Sequence, residues 1–383
     1  MKKVTMIWMA AVMLLIFGAC SSDSSEQQPP VLNIYVYAPG QPTPTRSVID
    51  PTEEEKQVKS MTLWVYKTSD GSQLGSIILN AEELASLNSD NMGIYSMPVS
   101  ESFARNPEPV DVYVLANVSS DNTGKTYNAT IADKMSLENA QFDGGYYYEF
   151  ANTLKAATAL SKEGLPMSGV VREKAVINQN AVLHMTNANL QLVRDISKIR
   201  FVFSAIEGSY FYIDEVRLNK NLLYKSDYLF LNDENPYFRV GTTGLVDKEI
   251  VLVEKLKDKD GAPQYVNTNA DPRQYAYVSG MDESIYEAKI KEGLTKEKPE
   301  LTEAPTVYLP ESDKRLTGTI YYHLGDETTQ RTASFMMLNG DFRRNQTWIV
   351  YIYYNGSSKL DITSVKVTDW VDGGQTDHSL HNW

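Results

Sequence analysis

The chain has 383 residues, with 36 Lys or Arg against 49 Asp or Glu, and its net charge at pH 7 is −13. This acidity disfavours nucleic acid and anionic lipid headgroups as partners, because both carry negative charge. A single cysteine excludes internal disulfides, so stability must come from buried apolar surface. The length is enough for two domains of ordinary size, each with its own core.

A short apolar run follows Lys2 and Lys3 at the start of the chain. At about 12 residues it is too short to cross a membrane as a helix, but it suits the core of a signal peptide. Ala19 and then Cys20, the sole cysteine, follow this run. We predict that residues 1–19 are a lipoprotein signal peptide, cleaved between Ala19 and Cys20, and that Cys20 then carries lipid, including palmitate. An ordinary secretory signal beside a coincidental cysteine is the alternative.

Residues 31–38 alternate strictly between two faces, as a strand does. One face carries only apolar side chains: Leu32, Ile34, Val36 and Ala38. Three prolines between 39 and 44 keep the next residues extended and unpaired, so Arg46 should lie on an exposed loop where proteases act. Taken alone, an arginine after a proline-rich stretch is more often a solvated linker residue than a processing site.

Farther along, most apolar segments are short, β-branched or aromatic, and separated by turn residues, which is the pattern of an antiparallel β protein. We predict strands with one buried face at 61–66, 110–115 and 348–354. Helical patterning is limited to 81–87, 148–160 and 284–294. The predicted fold class is mostly β with a few short helices.

Several short segments carry a resemblance to a known family. Besides Cys20, they are Thr45–Val48, Glu53–Glu55, Val58–Tyr66, Val112–Asn117, Leu165–Gly169, Leu192–Ile199, Val307–Glu311 and Asp369–Trp370. Their order along almost the whole chain is similar to that of the fimbrillin family, the type V pilus subunits of Bacteroidetes. The resemblance implies two tandem transthyretin-like β-sandwich domains, 47–190 and 191–383, behind a propeptide, 20–46, that contains a plugging strand.

The resemblance also implies how the protein works. An arginine-specific protease would cut between Arg46 and Ser47, so that the plugging strand leaves the N-terminal domain and exposes a groove. A neighbouring subunit would fill this groove with a donor strand from the C-terminal segment 360–383. The residues of this possible donor strand are Ile362, Val365, Val367 and Trp370. The alternative is that the C-terminal strand simply completes its own domain.

The predicted function is a structural pilin, a fimbrial shaft subunit exported as an outer membrane lipoprotein precursor and polymerised into surface fimbriae for adhesion. Its partners would be other copies of itself, related pilins, the protease and, before processing, the membrane through its lipid. No cofactor and no nucleic acid are expected.

Two alternatives stay open. The chain could be a fimbrial tip, accessory or anchor subunit. It could also be a monomeric surface lipoprotein that binds carbohydrate or host protein through aromatic loops at Tyr146–Tyr148 and Tyr321–Tyr322. An enzyme is not predicted: the four histidines, His184, His323, His378 and His381, are too scattered for a metal site or a catalytic triad.

Overall fold

The computed structural model describes residues 29–39, 53–118, 133–141, 164–179, 182–236, 238–258, 260–268, 271–337 and 342–369. This part of the chain forms four sheets and a few short helices. The predicted mostly β fold is therefore confirmed.

The first half of the chain forms two facing sheets. Its strands are β1 (Val31–Tyr37), β2 (Met61–Lys67), β3 (Gln73–Leu79), β4 (Met92–Pro98), β5 (Val110–Ala116), β6 (Met167–Lys174), β7 (Val176–Gln179), β8 (Val182–Met185), β9 (Leu190–Gln191) and β10 (Val193–Arg194). Sheet 1 has the order β4-β1-β8-β7, with β9 also pairing β1, and sheet 2 has the order β10-β6-β5-β2-β3. Apolar residues of both sheets form one buried cluster, as in a β-sandwich. The helices are α1 (Glu53–Lys56), α2 (Ala85–Asp90), α3 (Glu101–Arg105) and α4 (Lys134–Glu138).

The second half repeats this plan with two further sheets. Its strands are β11 (Ser197–Ala205), β12 (Phe211–Leu218), β13 (Ile250–Val253), β14 (Thr302–Glu303), β15 (Val307–Leu309), β16 (Thr317–Leu324), β17 (Arg331–Met336), β18 (Gln346–Tyr354) and β19 (Leu360–Asp369). Sheet 3 has the order β14-β11-β18-β19, with β15 also pairing β11, and sheet 4 has the order β13-β12-β16-β17. A 3₁₀ helix (Pro272–Tyr275) precedes α5 (Glu283–Thr295), and a buried cluster joins α5 to sheet 3.

The three predicted strands are present as β2, β5 and β18, but the expectation that each buries only one face is wrong. All seven residues of β5 and the first seven of β18 are buried. Both strands are central in their sheets, and distant segments cover the second face. Phe230, from the second half, packs edge-to-face on Tyr113 at 5.3 Å, and Tyr351 shares its buried cluster with Tyr286 of α5.

Of the three predicted helices, one is confirmed, one begins later than predicted and one lies outside the described residues. The one at 284–294 is confirmed as α5, whose first turn is capped by Asp282, since its side chain accepts a hydrogen bond from the Ser284 amide at 2.8 Å. The one at 81–87 begins later, as α2. Residues 148–160 lie outside the described part of the chain. Among the described helices, none is long and apolar enough to cross a membrane.

Candidate strand-exchange site around strand β1

Strand β1 is a central strand of sheet 1 and pairs on both sides. Along its whole length it runs antiparallel to β4, from Val31 opposite Pro98 to Tyr37 opposite Met92. On its other side it runs parallel to β8 at residues 31–33 and parallel to β9 at residues 36–37. Loss of β1 would therefore open two strand edges that face each other across a gap one strand wide.

The face of β1 that points into the sandwich is fully apolar. Leu32, Ile34 and Val36 are 0% exposed and Ala38 is 3% exposed. The residues between them are half-buried on the outer face of sheet 1. Burial of the three larger side chains stabilises this position of the strand by ~5–9 kcal/mol, at ~1.5–3 kcal/mol each. The four residues predicted to plug the domain are thus buried in its core.

Both ends of β1 are tied down by hydrogen bonds to its neighbours. Near the start, the Val99 amide donates to the Pro30 carbonyl at 2.9 Å. Near the end, the Ala38 amide donates to the Asn91 carbonyl at 3.0 Å, and the Gln191 side-chain amide donates to the Ala38 carbonyl at 2.8 Å. The strand itself carries no charged residue, so backbone pairing and apolar burial hold it in place.

Tyr95 of β4 forms part of the wall beside β1. It lies opposite Ile34, is 6% exposed, and has its pKa raised to about 12 by burial. Its hydroxyl has no hydrogen-bond partner among the described residues. A Cβ at Gly93 would lie 2.4 Å from this oxygen, which explains the glycine. The wall stays neutral at physiological pH and suits an apolar strand.

Strand β19 contains part of the predicted donor segment. It pairs antiparallel with β18, from Leu360 opposite Tyr354 to Asp369 opposite Gln346. Ile362 packs half-buried against the core between sheets 3 and 4, whereas Val365 packs against the α5 side. In this structure β19 therefore completes its own sheet. This is the alternative to strand donation that the sequence analysis left open.

The other predicted processing and exchange residues lie wholly or partly outside the described part of the chain. Ala19, Cys20, Arg46, Ser47 and Trp370 lie outside the described residues, and for Val367 only the backbone, in β19, is described. Lipidation, cleavage and exchange stay predictions.

The aromatic loops considered for ligand binding receive one correction. Tyr321 and Tyr322 are not in a loop: both belong to β16, and Tyr322 is 2% exposed because it faces the core between sheets 3 and 4. Tyr146–Tyr148 lie outside the described residues.

Two of the four histidines are placed, and they lie far apart in the fold. His184 lies beside Tyr35 of β1, and the Nδ1 of His323 is 2.8 Å from the carboxylate of Asp214. His378 and His381 lie outside the described part. Within that part, no group of three or more His, Cys, Asp or Glu side chains could hold a metal ion.

A buried charge cluster joins the two halves, and sequence reasoning missed it. Arg344 donates to Asp195 and to Glu311, each at 2.8 Å, and all three side chains are almost fully buried. Ser168 of β6 also donates to Asp195, at 2.6 Å. Burial raises the pKa of Asp195 to about 7, although Arg344 opposes the shift, and it raises the pKa of Asp227 well above 3.8. No motif or spacing in the sequence signals this cluster.

Neither a protein-family model nor a curated protein sequence matches the chain. A solved structure of a candidate cell adhesion protein from Parabacteroides distasonis does, with a TM-score of 0.53, 15% identity, and coverage of 88% of this chain and 97% of that one. The chain has the fold of that protein.

Two further similar structures are fimbrial. The tip fimbrial protein Mfa3 from Porphyromonas gingivalis, with a C-terminal truncation, has 13% identity, 88% and 100% coverage and a TM-score of 0.48. A fimbrial assembly protein from Parabacteroides distasonis has 11% identity, 88% and 95% coverage and a TM-score of 0.44. The solved structures similar to this chain thus include one cell adhesion protein and two fimbrial proteins.

Proposed function

We propose that this chain is a structural pilin and not an enzyme: a fimbrial shaft subunit that is exported as an outer membrane lipoprotein, cleaved after Arg46, and polymerised by strand exchange into surface fimbriae for adhesion. One observation carries the proposal. Strand β1 is uncharged, central in sheet 1 and buried on one face, and it is followed directly by the proline-rich segment that contains Arg46.

A cut after Arg46 would break the covalent tie between β1 and the rest of sheet 1. The unpaired edges of β4, β8 and β9 would then be templates for an incoming strand. That strand needs apolar side chains at alternate positions, to refill the places of Leu32, Ile34, Val36 and Ala38. Donor and groove are different surfaces, so each added subunit offers a new free end and the assembly grows as an open fibre.

The position of β19 narrows the choice of donor strand. Donation by Ile362 or Val365 would require β19 to leave β18 and expose the cores on both of its faces. Because β19 pairs with β18 as far as Asp369, we place the donor after this strand, from Trp370 onward.

The same feature supports a second candidate, a tip or accessory subunit. Such a subunit keeps the groove but donates no strand, which agrees with the pairing of β19 in its own sheet. The two roles differ in whether the residues after Asp369 are needed for multimers.

The test uses unlipidated precursor, residues 21–383, incubated with an arginine-specific protease. The product is sequenced from its new N-terminus and run unboiled on a denaturing gel. A shaft subunit should start at Ser47 and form a ladder, the Arg46→Ala control should stay monomeric, and a chain that ends at Asp369 should be cleaved without a ladder. Monomer alone after cleavage at Ser47 would support the tip or accessory role, and cleavage elsewhere would contradict the processing site.

A synthetic peptide of residues 31–38 sharpens the test. Added in excess after cleavage, it should reoccupy the groove and suppress the ladder, whereas the same peptide with Asp in place of Ile34 should not. Equal ladders with both peptides would show that multimers form at some other surface.

A further inference from the structure

Residues 55–60, which we name the strap, lie between the predicted cleavage site and strand β2 of sheet 2. The strap is not part of a strand, and its helical part ends at Lys56. Even so, five side chains from other parts of the chain bind it, and these contacts distinguish it from an ordinary linker.

Asn88 of α2 holds the middle of the strap. The Val58 amide donates to the Asn88 side-chain oxygen at 2.8 Å, and the Asn88 side-chain nitrogen donates to the Val58 carbonyl at 2.8 Å. One side-chain amide thus satisfies both backbone groups of Val58, as a neighbouring strand would. The Val58 side chain is 0% exposed in the core of the first half.

Asn117, just after β5, forms hydrogen bonds with the residues on both sides of Val58 in the chain. Its side-chain oxygen accepts from the Lys59 amide at 2.7 Å, and its side-chain nitrogen donates to the carbonyls of Gln57 at 2.9 Å and Leu165 at 2.8 Å. Its own amide donates to the Ser60 carbonyl at 2.9 Å. Asn117 is 2% exposed and has a φ of 57°, a conformation that asparagine tolerates better than most residues.

Gly164 makes room for this arrangement. Its φ is 71°, and a Cβ there would lie 2.4 Å from the Asn117 side-chain nitrogen and 3.1 Å from the Gln57 carbonyl oxygen. The close backbone approach therefore requires glycine.

Glu55 fixes the start of the strap in the second half of the chain. Its carboxylate, 1% exposed, lies 3.0 Å from the Lys198 ammonium of β11 and accepts a hydrogen bond from the Tyr308 hydroxyl of β15. Its backbone carbonyl accepts from Arg194 at 3.2 Å. A buried ion pair of this kind is costly to break from one side, because the remaining charge stays buried.

None of the hydrogen-bond and ion-pair partners named above belongs to β1. We propose that the strap remains bound when β1 leaves, so that strand exchange is confined to the chain before residue 55 and the two halves stay joined. This inference rests on the proposed function, because it assigns the strap a role in release of β1. The strap works as a barrier: the free end left by cleavage cannot peel back into β2 and unfold sheet 2.

Hydrogen exchange measured by mass spectrometry on the full precursor tests this in two arms. One arm compares the precursor with the cleaved, multimeric product. The other uses Ile34→Asp, which places a charge in the apolar core and should expel β1 without any cleavage. In both arms we expect residues 31–37 to lose protection, while 57–60 and β5 exchange within about threefold of the intact precursor.

The two arms keep the outcomes distinct. If residues 31–37 stay protected after cleavage, the proposed release of β1 is contradicted. The Ile34→Asp arm still tests whether the strap remains bound when β1 leaves. If 57–60 lose protection together with 31–37 in the Ile34→Asp arm, the strap does not act as a barrier and the inference is overturned.

Strap variants add a second readout. Asn88→Asp with Asn117→Asp keeps the acceptors but removes the three donated bonds, so exchange at 57–60 should rise roughly tenfold or more. The matched control is Asn219→Asp, since Asn219 donates one side-chain bond to Thr317 at 2.9 Å in the second half and should leave 57–60 unchanged. Unchanged exchange in the double variant would contradict the role of the two asparagines.

Discussion

Replacement of Asp195 by Asn should make the protein more stable at neutral pH and remove part of its pH dependence. Asp195 is completely buried between the two halves, and burial raises the pKa of its carboxyl from 3.8 to about 7. Arg344 is its cationic partner but also neutralises Glu311, with Asp227 close by. Three carboxyls therefore share one guanidinium, and a neutral Asp195 is favoured.

The sign follows from the direction of this shift. An acid whose folded pKa is raised binds a proton more tightly in the folded state, so its contribution to stability is complete below pH 3.8 and is lost as pH rises to about 7. The difference between a pKa of 3.8 and one of about 7 corresponds to ~4 kcal/mol, since a tenfold change in proton affinity is worth ~1.4 kcal/mol. That is a large share of a typical unfolding free energy of ~5–15 kcal/mol.

Urea unfolding of the unlipidated precursor between pH 4.5 and 7.5 measures the effect. Asp195→Asn can still accept the hydrogen bonds from Ser168 and Arg344. It should exceed the wild type by only ~1 kcal/mol at pH 4.5 and by up to ~4 kcal/mol at pH 7.5. Asp90→Asn, on an exposed residue of α2, is the control and should keep the wild-type slope. An Asp195→Asn variant that is less stable than the wild type at pH 7.5, or that keeps the wild-type slope, would refute the reasoning.

Three further substitutions test the core, a close backbone approach and the buried ion pair. Ile34→Ala should lower the unfolding free energy of the uncleaved precursor by ~2–5 kcal/mol, measured by urea titration. Val31→Ala, at a half-buried position, should lower it by less than ~1 kcal/mol. Equal losses would contradict the assignment of Ile34 to the inner face of β1 and Val31 to the outer face. Gly169→Ala should cost ~1–3 kcal/mol, since a Cβ there would lie 2.6 Å from a backbone carbonyl oxygen; an unchanged melting temperature would count against that close contact. Lys198→Met should cost ~3–5 kcal/mol by removing the ammonium group 3.0 Å from the buried Glu55 carboxylate. Adding Glu55→Met should recover much of this loss in the same urea titration.

Some of this architecture was accessible from sequence because it is local. The sequence predicts strand β1 from its strict alternation and apolar face, and α5 from the helical patterning at 284–294. The sequence does not predict that both faces of β5 and β18 are buried, because the segments that cover the second face come from elsewhere in the chain.

The polar features were harder to predict for the same reason. Asp195 and Arg344 are 149 positions apart and meet only in the fold. Asn88 and Asn117 resemble ordinary loop or helix-end asparagines in the sequence, and only their geometry shows them binding backbone groups of residues 57–60. Long-range pairing of polar groups leaves no periodic pattern to read.

The absence of charge in β1 has a consequence for how assembly would be controlled. Salt screens ion pairs, but a strand held by backbone pairing and apolar side chains has none to screen. The neighbouring Tyr95 also stays protonated across the physiological range. In the proposed assembly, the ionic strength of the surroundings would not loosen this strand, so peptide-bond cleavage would decide when a subunit is ready to join a fibre.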